Sequence, residues 1–180
     1  MPTRGTTELA GSVRACIRDV PNFPKPGITF KDITPLLLDP QLFRAATDAM
    51  AAPFEGEGVS HVVAIESRGF LLGAPIAQRL ACGLIPFRKP GKLPSRVSRA
   101  DYSLEYGSDA LECHEDSMGR GNRVLVVDDV LATGGTVGAA IRLVESLGAE
   151  VVGCAFLIVL SFLPGLTALG GRRVVEVVRY

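Results

Sequence analysis

Asp128 and Asp129, with the glycine-rich segment after them, form the part of the sequence best suited to chemistry. The pair comes directly after the apolar run 124–127. The segment that follows contains Ala132, Thr133, Gly134, Gly135 and Thr136. Glycine lets backbone N–H groups approach a ligand closely, and N–H groups at the start of a helix attract phosphate. Carboxylates repel phosphate and instead suit hydroxyl donors or a metal ion. Together these residues predict a site for a sugar phosphate.

Other phosphate-binding motifs have a different spacing. The pattern GxxxxGK(S/T) of P-loop proteins is absent, and Gly134, Gly135 and Gly138 do not fit the dinucleotide pattern GxGxxG. A purely structural alternative is a tight turn from a strand into a helix, capped by an aspartate. That alternative explains each feature separately, whereas a sugar-phosphate site explains the acids, hydroxyls and glycines together.

Apolar runs that alternate with amphipathic segments must position this motif. The predicted strands are 59–65, 84–87, 124–127, 151–159 and 174–178, and the predicted helices are 7–20, 40–52, 69–80 and 136–147. Strands that are apolar throughout and alternate with helices are typical of a parallel sheet covered on both faces. The predicted fold is therefore a doubly wound α/β domain with a mostly parallel sheet. Ligands bind at the carboxyl ends of such strands. We therefore expect chemistry in the loops that follow residues 65, 87, 127 and 159.

The remaining segments are rich in turn-forming residues. Residues 1–6 are predicted to be a loose tail, and residues 21–27, which contain prolines and a glycine, to be irregular before a short extended piece at 28–30. Residues 89–99 are predicted to be a basic loop. The turn residues 107–109 separate two strand-like runs and predict a hairpin.

Composition limits the class of protein. The chain has 180 residues, with 19 basic and 19 acidic side chains, and 47% of its residues are hydrophobic. This length and hydrophobic content predict a single domain spanning 1–180. A net charge of zero argues against a dedicated nucleic-acid or anionic-membrane binder. The start of the sequence lacks an apolar signal-peptide core, and the longest apolar run, 151–163, is too short to span a membrane. We therefore expect a soluble cytoplasmic protein without a nucleic-acid or membrane partner.

The cysteines and histidines give no sign of a metal centre. The four cysteines are far apart and form no CxxC pair, so neither a disulfide framework nor a zinc site is predicted. His61 and His114 lack the spacing of metal ligands, and both are interpreted as structural.

Residues 124–136 resemble the phosphoribosyl-pyrophosphate (PRPP) motif of the type I phosphoribosyltransferases. Segments 23–35, 66–70, 88–94 and 102–107 look like those of the adenine-specific members, in the same order, so the resemblance spans about residues 12–160. It implies the type I phosphoribosyltransferase fold, with a small N-terminal hood at about 21–35 and a mobile lid hairpin at about 92–109. The implied reaction is purine salvage: the 5-phosphoribosyl group passes from PRPP to adenine, giving AMP and pyrophosphate.

The same resemblance implies roles for the residues that hold PRPP. Asp128 and Asp129 would hold the ribose hydroxyls, and the segment 132–136 the 5′-phosphate. The pyrophosphate would contact Ser67, Arg68, Arg88, Lys89, Lys92 and Tyr106. The turn at Ser67 tends to hold a cis peptide bond in this family. The implied cofactor is Mg²⁺, bound through PRPP and pyrophosphate, with no metal ligands from the protein.

The resemblance also implies which residues recognise adenine and which residue is catalytic. Phe30 would stack on one face of adenine and Leu160 on the other, while the backbone of Thr29 and Lys31 would face the Watson–Crick edge. Glu105 would be the catalytic residue, handling a proton of the imidazole ring. The family also implies a homodimer, in which Arg88 can reach across the interface.

Alternatives remain open from the residues alone. Phe30 lies between apolar neighbours and also suits a core position, Lys89 and Lys92 suit solvated surface positions, and Glu105 suits an exposed hairpin. At the level of function, the alternatives are a non-catalytic domain that senses PRPP or purines, and transfer to another purine base.

Overall fold

A five-stranded, fully parallel sheet organises the structure, a computed structural model that describes residues 4–103 and 108–180. The strands are β1 (Arg18–Pro21), β2 (Thr29–Asp32), β3 (His61–Ile65), β4 (Gly83–Phe87), β5 (Val97–Ser103), β6 (Ser108–His114), β7 (Arg123–Leu131), β8 (Glu150–Val159) and β9 (Val174–Arg179). The helices are α1 (Arg4–Cys16), α2 (Thr34–Leu37), α3 (Pro40–Ala51), α4 (Arg68–Arg79), α5 (Gly135–Ser146) and α6 (Gly165–Ala168), with a 3₁₀ turn at Ala52–Phe54. The sheet order is β4-β3-β7-β8-β9. The predicted α/β fold is confirmed.

The strand β7 shows why the sheet is buried on both faces. Its alternating side chains enter two separate cores, Val124 and Val126 on one face, Leu125 and Val127 on the other. The first core contains α5 and the β5–β6 hairpin, and the second contains α1, α3 and α4. The uninterrupted apolar run 124–127 therefore packs against both helical layers, as expected for a parallel sheet.

The register of the sheet brings the carboxyl ends of its strands to one edge. Ile65 of β3 pairs with Phe87 of β4, and Ala64 pairs with Val127 of β7. The residues that follow each strand are consequently neighbours in space although they are distant in sequence. This is the edge at which the sequence predicts chemistry.

The N-terminal prediction needs two corrections. Residues 4–6 belong to α1 rather than to a loose tail, and α1 ends at Cys16 instead of continuing to residue 20. Residues 18–21 instead form β1, which pairs antiparallel with β2 and places Val20 opposite Phe30. Pairing with a distant strand overrides the local helical spacing, which sequence periodicity cannot anticipate.

Two other strands are longer than predicted. β7 continues to Leu131 because Val130 and Leu131 pair with Ile158 and Val159 of β8. The acidic pair is therefore part of the strand and not of the following loop. β5 begins at Val97, inside the predicted loop 89–99, and pairs antiparallel with β6 as the predicted hairpin requires, although the predicted turn residues Ser108 and Asp109 belong to β6.

Within residues 4–103 and 108–180, no helix has both the length and the apolar character needed to cross a bilayer. All four cysteines are free thiols.

Helix α4 packs unusually closely on β3. Gly73 is buried in α4, and a Cβ atom at this position would lie 2.6 Å from Cβ of Ala64. Gly11 in α1, by contrast, has no atom within 4 Å of the corresponding position. Because Arg68 begins α4, the close packing at Gly73 also sets the position of that arginine relative to the sheet.

We expect Gly73→Ala to destabilise the protein, because overpacking a core costs about 1–3 kcal/mol. In a chain of this size, each kcal/mol lowers Tm by about 2–4 °C. Gly11→Ala is the matched control, since alanine is favoured over glycine in an open helical position by about 1 kcal/mol and Tm should not fall. Thermal unfolding of both variants checks the prediction, and a Tm that rises equally in both would contradict it.

Candidate active site

A cavity of about 390 Å³ lies at the carboxyl edge of the sheet. The predicted residues that line it are Thr29, Phe30, Lys31, Ser67, Arg68, Lys89, Asp128, Asp129, Ala132, Thr136 and Leu160. Three lining residues were not predicted: Ile28, Glu66 and Val130. The fold thus joins the residues after β3, β4, β7 and β8 to strand β2, which lies outside the main sheet.

A smaller cavity of about 70 Å³ lies against the glycine-rich segment. Residues 130–137 and Asp128 form its walls. Gly134 precedes α5 with φ +88°, a conformation that favours glycine, and a Cβ atom there would lie 2.7 Å from Cβ of Ala168. The free N–H groups at the start of α5 therefore face a cavity suited to an anion such as a phosphate.

The two carboxylates differ in their surroundings. Asp129 is buried, with 3% of its surface exposed, and accepts a hydrogen bond from Nε of Arg68. Asp128 accepts a hydrogen bond of 2.9 Å from the backbone N–H of Asp129. Burial, followed by the negative charge of Asp129, raises the pKa of Asp128 well above its ordinary value. The free protein therefore contains one paired carboxylate beside one whose ionised form is disfavoured.

Arg68 contacts two parts of the cavity at once. Besides its ion pair with Asp129, its guanidinium lies 4.8 Å from the centroid of the Phe30 ring. Arg68 starts α4 directly after the Glu66–Ser67 peptide bond, which is cis, at the turn where the family resemblance implies one. The arginine thus occupies space between the acidic pair and the aromatic wall.

Glu66 is a site residue that the sequence prediction missed. Its carboxylate accepts hydrogen bonds from Nε of Arg88 at 3.0 Å and from the backbone N–H of Lys89 at 2.7 Å. Burial acts to raise the pKa of Glu66, but these two hydrogen bonds and the charge of Arg88 outweigh it and lower the pKa. The available signal was its position directly after β3, where a polar residue must face the carboxyl edge of the sheet.

Lys89 is held by the β5–β6 hairpin. Its Nζ donates hydrogen bonds to the hydroxyl of Tyr102, at 2.5 Å, and to the carboxylate of Asp109. Burial acts to lower the pKa of Lys89, whereas these partners raise it, so the ammonium stays charged. The sequence prediction missed Asp109 and Tyr102, because only the antiparallel pairing of the hairpin places them opposite each other.

Phe30 and Leu160 give the cavity apolar surface on β2 and after β8. Phe30 packs edge-on against Phe23, with ring centroids 5.2 Å apart, and it lines the cavity instead of joining either buried core. The core alternative for Phe30 is therefore wrong. On the other side, Leu160 follows β8, and its backbone N–H donates to the carbonyl of Leu131 at 2.9 Å. A flat ring fits between walls of this kind.

Some predicted residues are not brought to the cavity. Of these two cavities, Thr133, Gly134 and Gly135 line the smaller one, while Arg88 and Lys92 line neither. Arg88 instead pairs with Glu66, and Lys92 lies close enough to help lower the pKa of that carboxylate. Glu105 and Tyr106 lie outside the described residues.

The residues of the cavity fit a magnesium ion only as partners of a bound ligand. Among residues 4–103 and 108–180, no three carboxylate, imidazole or thiolate groups are placed to hold a metal. Mg²⁺ commonly takes only one or two protein carboxylates and is otherwise held by substrate phosphates and water. The carboxylates at the end of β7 are oxygen donors of the type that Mg²⁺ prefers.

Comparison with known proteins agrees with this geometry. A family model described as "Phosphoribosyl transferase domain" matches residues 35–161. An adenine phosphoribosyltransferase of Myxococcus xanthus is 57% identical over 180 residues, covering 100% of this chain and 98% of that protein. The crystal structure of adenine phosphoribosyltransferase from Rhodothermus marinus is 49% identical and superposes with a TM-score of 0.92, covering 97% of this chain and 99% of that one.

A third relative was solved with a ligand. It is adenine phosphoribosyltransferase from Saccharomyces cerevisiae, complexed with an imino-altritol bisphosphate and adenine, and it is 37% identical with a TM-score of 0.89 over 95% of this chain and 99% of that one. A family match over most of the chain and relatives at this identity place the protein among the phosphoribosyltransferases, in the adenine phosphoribosyltransferase family.

We expect Asp128→Asn to stabilise the free protein at neutral pH. The raised pKa means that an ionised Asp128 costs folding free energy, and this cost disappears in the amide. A gain of about 1 kcal/mol would raise Tm by about 2–4 °C. As pH falls toward the ordinary aspartate range, Asp128 takes up its proton, so the gain should shrink.

Thermal unfolding between neutral and mildly acidic pH measures this effect. Asp116→Asn is the control. Because Asp116 is exposed in a turn, the Tm of this variant should equal that of the wild type. A Tm for Asp128→Asn that falls at neutral pH, or a gain that grows on acidification, would contradict the assignment.

Proposed function

We propose that this chain transfers the 5-phosphoribosyl group of PRPP to adenine, forming AMP and pyrophosphate, as an enzyme of purine salvage. The observation that carries the proposal is a pair of cavities that share Asp128, Ala132 and Thr136 and together expose an acidic pair, a helix N-terminus and apolar side chains. A sugar, a phosphate and a flat base need these three kinds of surface. The named activity of its relatives supports the same reaction.

The ribose and its 5′-phosphate would bind at the end of β7. Asp128 and Asp129 would accept hydrogen bonds from the ribose hydroxyls, and the start of α5, at 132–136, would hold the phosphate. As the bond to pyrophosphate breaks, positive charge develops on the sugar. The two carboxylates would stabilise that charge, and it would in turn favour the ionised form of Asp128.

Pyrophosphate would bind on the opposite side of the sugar. Ser67, Arg68 and Lys89 line the main cavity and would contact pyrophosphate, because arginine suits the paired oxygens of a phosphate. In the free protein, Arg68 is paired with Asp129 and Lys89 with Asp109, so both cations exchange a carboxylate for a phosphate on binding. Lys92 and Tyr106 would join them from the lid segment 92–109.

Magnesium would be bound through the phosphates of PRPP and pyrophosphate, with no ligand from the protein. When bound, it neutralises phosphate charge and helps pyrophosphate to leave. The protein's own part is to orient the sugar and to supply the cations of the pyrophosphate side.

Adenine would lie between Phe30 and Leu160. The backbone of Thr29 and Lys31 would face its Watson–Crick edge, as part of the hood, 21–35. Glu105 would handle the proton that the imidazole ring loses when N9 attacks the sugar. Closure of the lid over the site would keep water from the reactive sugar.

We further propose that the chain acts as a single domain, in a cytoplasmic homodimer. Arg88 lies at the end of β4, an outer strand of the sheet, and would contribute to a pyrophosphate site near the interface. Exposed Leu71 and Leu84, at 46% and 44%, supply apolar surface that a second copy can cover. The balanced charge supports the absence of a nucleic-acid partner.

We expect adenine to be preferred over hypoxanthine and guanine by about 10³ or more in kcat/KM. Adenine presents a donor at its amino group and an acceptor at N1, and hypoxanthine presents the reverse. Fixed backbone groups at Thr29 and Lys31 cannot serve both patterns, and each buried unpaired polar group costs about 1–3 kcal/mol.

The test is competition between equal concentrations of the three bases, with PRPP and Mg²⁺ present. AMP as the main product supports the proposal. IMP or GMP formed at a rate within about tenfold of AMP would make the protein a broader purine enzyme. Binding of PRPP without any nucleotide product would favour the non-catalytic sensor.

We expect Asp128→Asn to lower kcat/KM by about 10²–10³, the usual effect of removing one electrostatic stabiliser of a transition state. The same variant should be the more stable protein, so loss of fold cannot explain the loss of rate. Steady-state kinetics on the folded variant, with Asp116→Asn as control, measure the effect. Near-normal activity of Asp128→Asn would reject its role at the ribose.

A further inference from the structure

Tyr180 contacts strand β2 through its side chain. Nζ of Lys31 lies 3.9 Å from the centroid of the tyrosine ring, and Cζ of Arg14, in α1, lies 4.2 Å from it. The Lys31 side chain is only 12% exposed and also pairs with Asp19 of β1 at 2.6 Å. A cation held against an aromatic ring and away from water is a favourable contact.

The backbone of Tyr180 contacts the opposite wall of the cavity. Its N–H donates to the carbonyl of Val159 at 2.9 Å, and its carbonyl accepts from the backbone N–H of Ser161 at 2.8 Å. The Ser161 hydroxyl donates to the same carbonyl at 2.6 Å. Leu160 stands between these two residues, so both of its neighbours in the chain are bonded to Tyr180.

The two walls have no direct link through the main sheet. β1 and β2 form a separate two-stranded sheet, whereas Leu160 follows β8 of the five-stranded sheet. An isolated two-stranded sheet is marginally stable, so its position depends on contacts with the rest of the protein. Tyr180 supplies such a contact and is bonded on its other side to the segment that carries Leu160.

We infer that Tyr180 is a positioning residue for adenine, one that sets the distance between the β2 wall and the Leu160 wall. This inference rests on the proposed function, because Phe30 and Leu160 are the proposed stacking surfaces. Tyr180 itself does not line the cavity, so it acts through Lys31 and through the backbone around Leu160. The distance between Phe30 and Leu160 then determines how tightly a flat base is held. Binding of PRPP does not depend on this distance.

Replacing the ring should weaken adenine binding selectively. We expect Tyr180→Leu to raise KM for adenine by about 3- to 30-fold, the range for losing a partly desolvated cation–ring contact. Lys31→Met removes the cation and should have a similar effect, and the double variant should be little worse than either single one. KM for PRPP should stay within about twofold of the wild type. Tyr180→Phe keeps the ring and should restore KM for adenine.

Arg14→Met is the matched control. Arg14 contacts the same ring but belongs to α1, so its loss should change KM for adenine by less than about twofold. The experiment measures KM for each substrate at saturating amounts of the other, with Tm for every variant. Lys31→Met also provides a second route to the answer if Tyr180→Leu folds poorly.

The outcomes separate this inference from the proposed function. A wild-type protein that forms no AMP overturns the proposed function and this inference with it. A wild-type protein that forms AMP, with KM for adenine unchanged in both Tyr180→Leu and Lys31→Met, overturns only the positioning role. Equal increases in both KM values, or an equal effect of Arg14→Met, would also overturn it, because they indicate a general loss of structure.

Discussion

Two adjacent carboxylates at the end of a buried parallel strand are the constraint on which the rest of the site depends. β7 is paired on both sides before it reaches Asp128, and it remains paired with β8 beyond Asp129. The two charges are therefore fixed close together where water is scarce. Such an arrangement needs compensating positive charge or a proton. In the free protein, Arg68 compensates Asp129, whereas burial and the charge of Asp129 raise the pKa of Asp128 and disfavour its ionised form.

The electrostatic repulsion between the two carboxylates would help the proposed reaction. A sugar that gains positive charge as its bond breaks would relieve the repulsion between the carboxylates, so the site would bind the transition state better than the ground state. Arg68 connects this effect to the base, because it lies against both Asp129 and Phe30. Phosphate binding would draw the arginine away and free both surfaces together. Stability and activity are therefore expected to be opposed at Asp128.

The scaffold holds the cations and the base walls by different means. Arg68 is the first residue of α4, and its position depends on the close contact between Gly73 and β3. The base walls belong to separate sheets, and their spacing depends on side chains such as Tyr180. The close packing of α4 on β3 therefore positions Arg68, whereas side-chain contacts such as that between Tyr180 and Lys31 would position the base. A site that must admit a flat ring can tolerate this second, looser arrangement.

The sequence by itself determined the fold class and the acidic glycine-rich motif, because apolar runs and glycine spacing report local geometry directly. It also supplied most of the residues that line the main cavity, although their roles remain predictions. Only tertiary structure decided that residues 18–21 form a strand, that Glu66 and Asp109 hold the basic residues, and that Arg68 spans the cavity. Pairing between distant segments decides these features, and local periodicity carries no information about which distant segments meet.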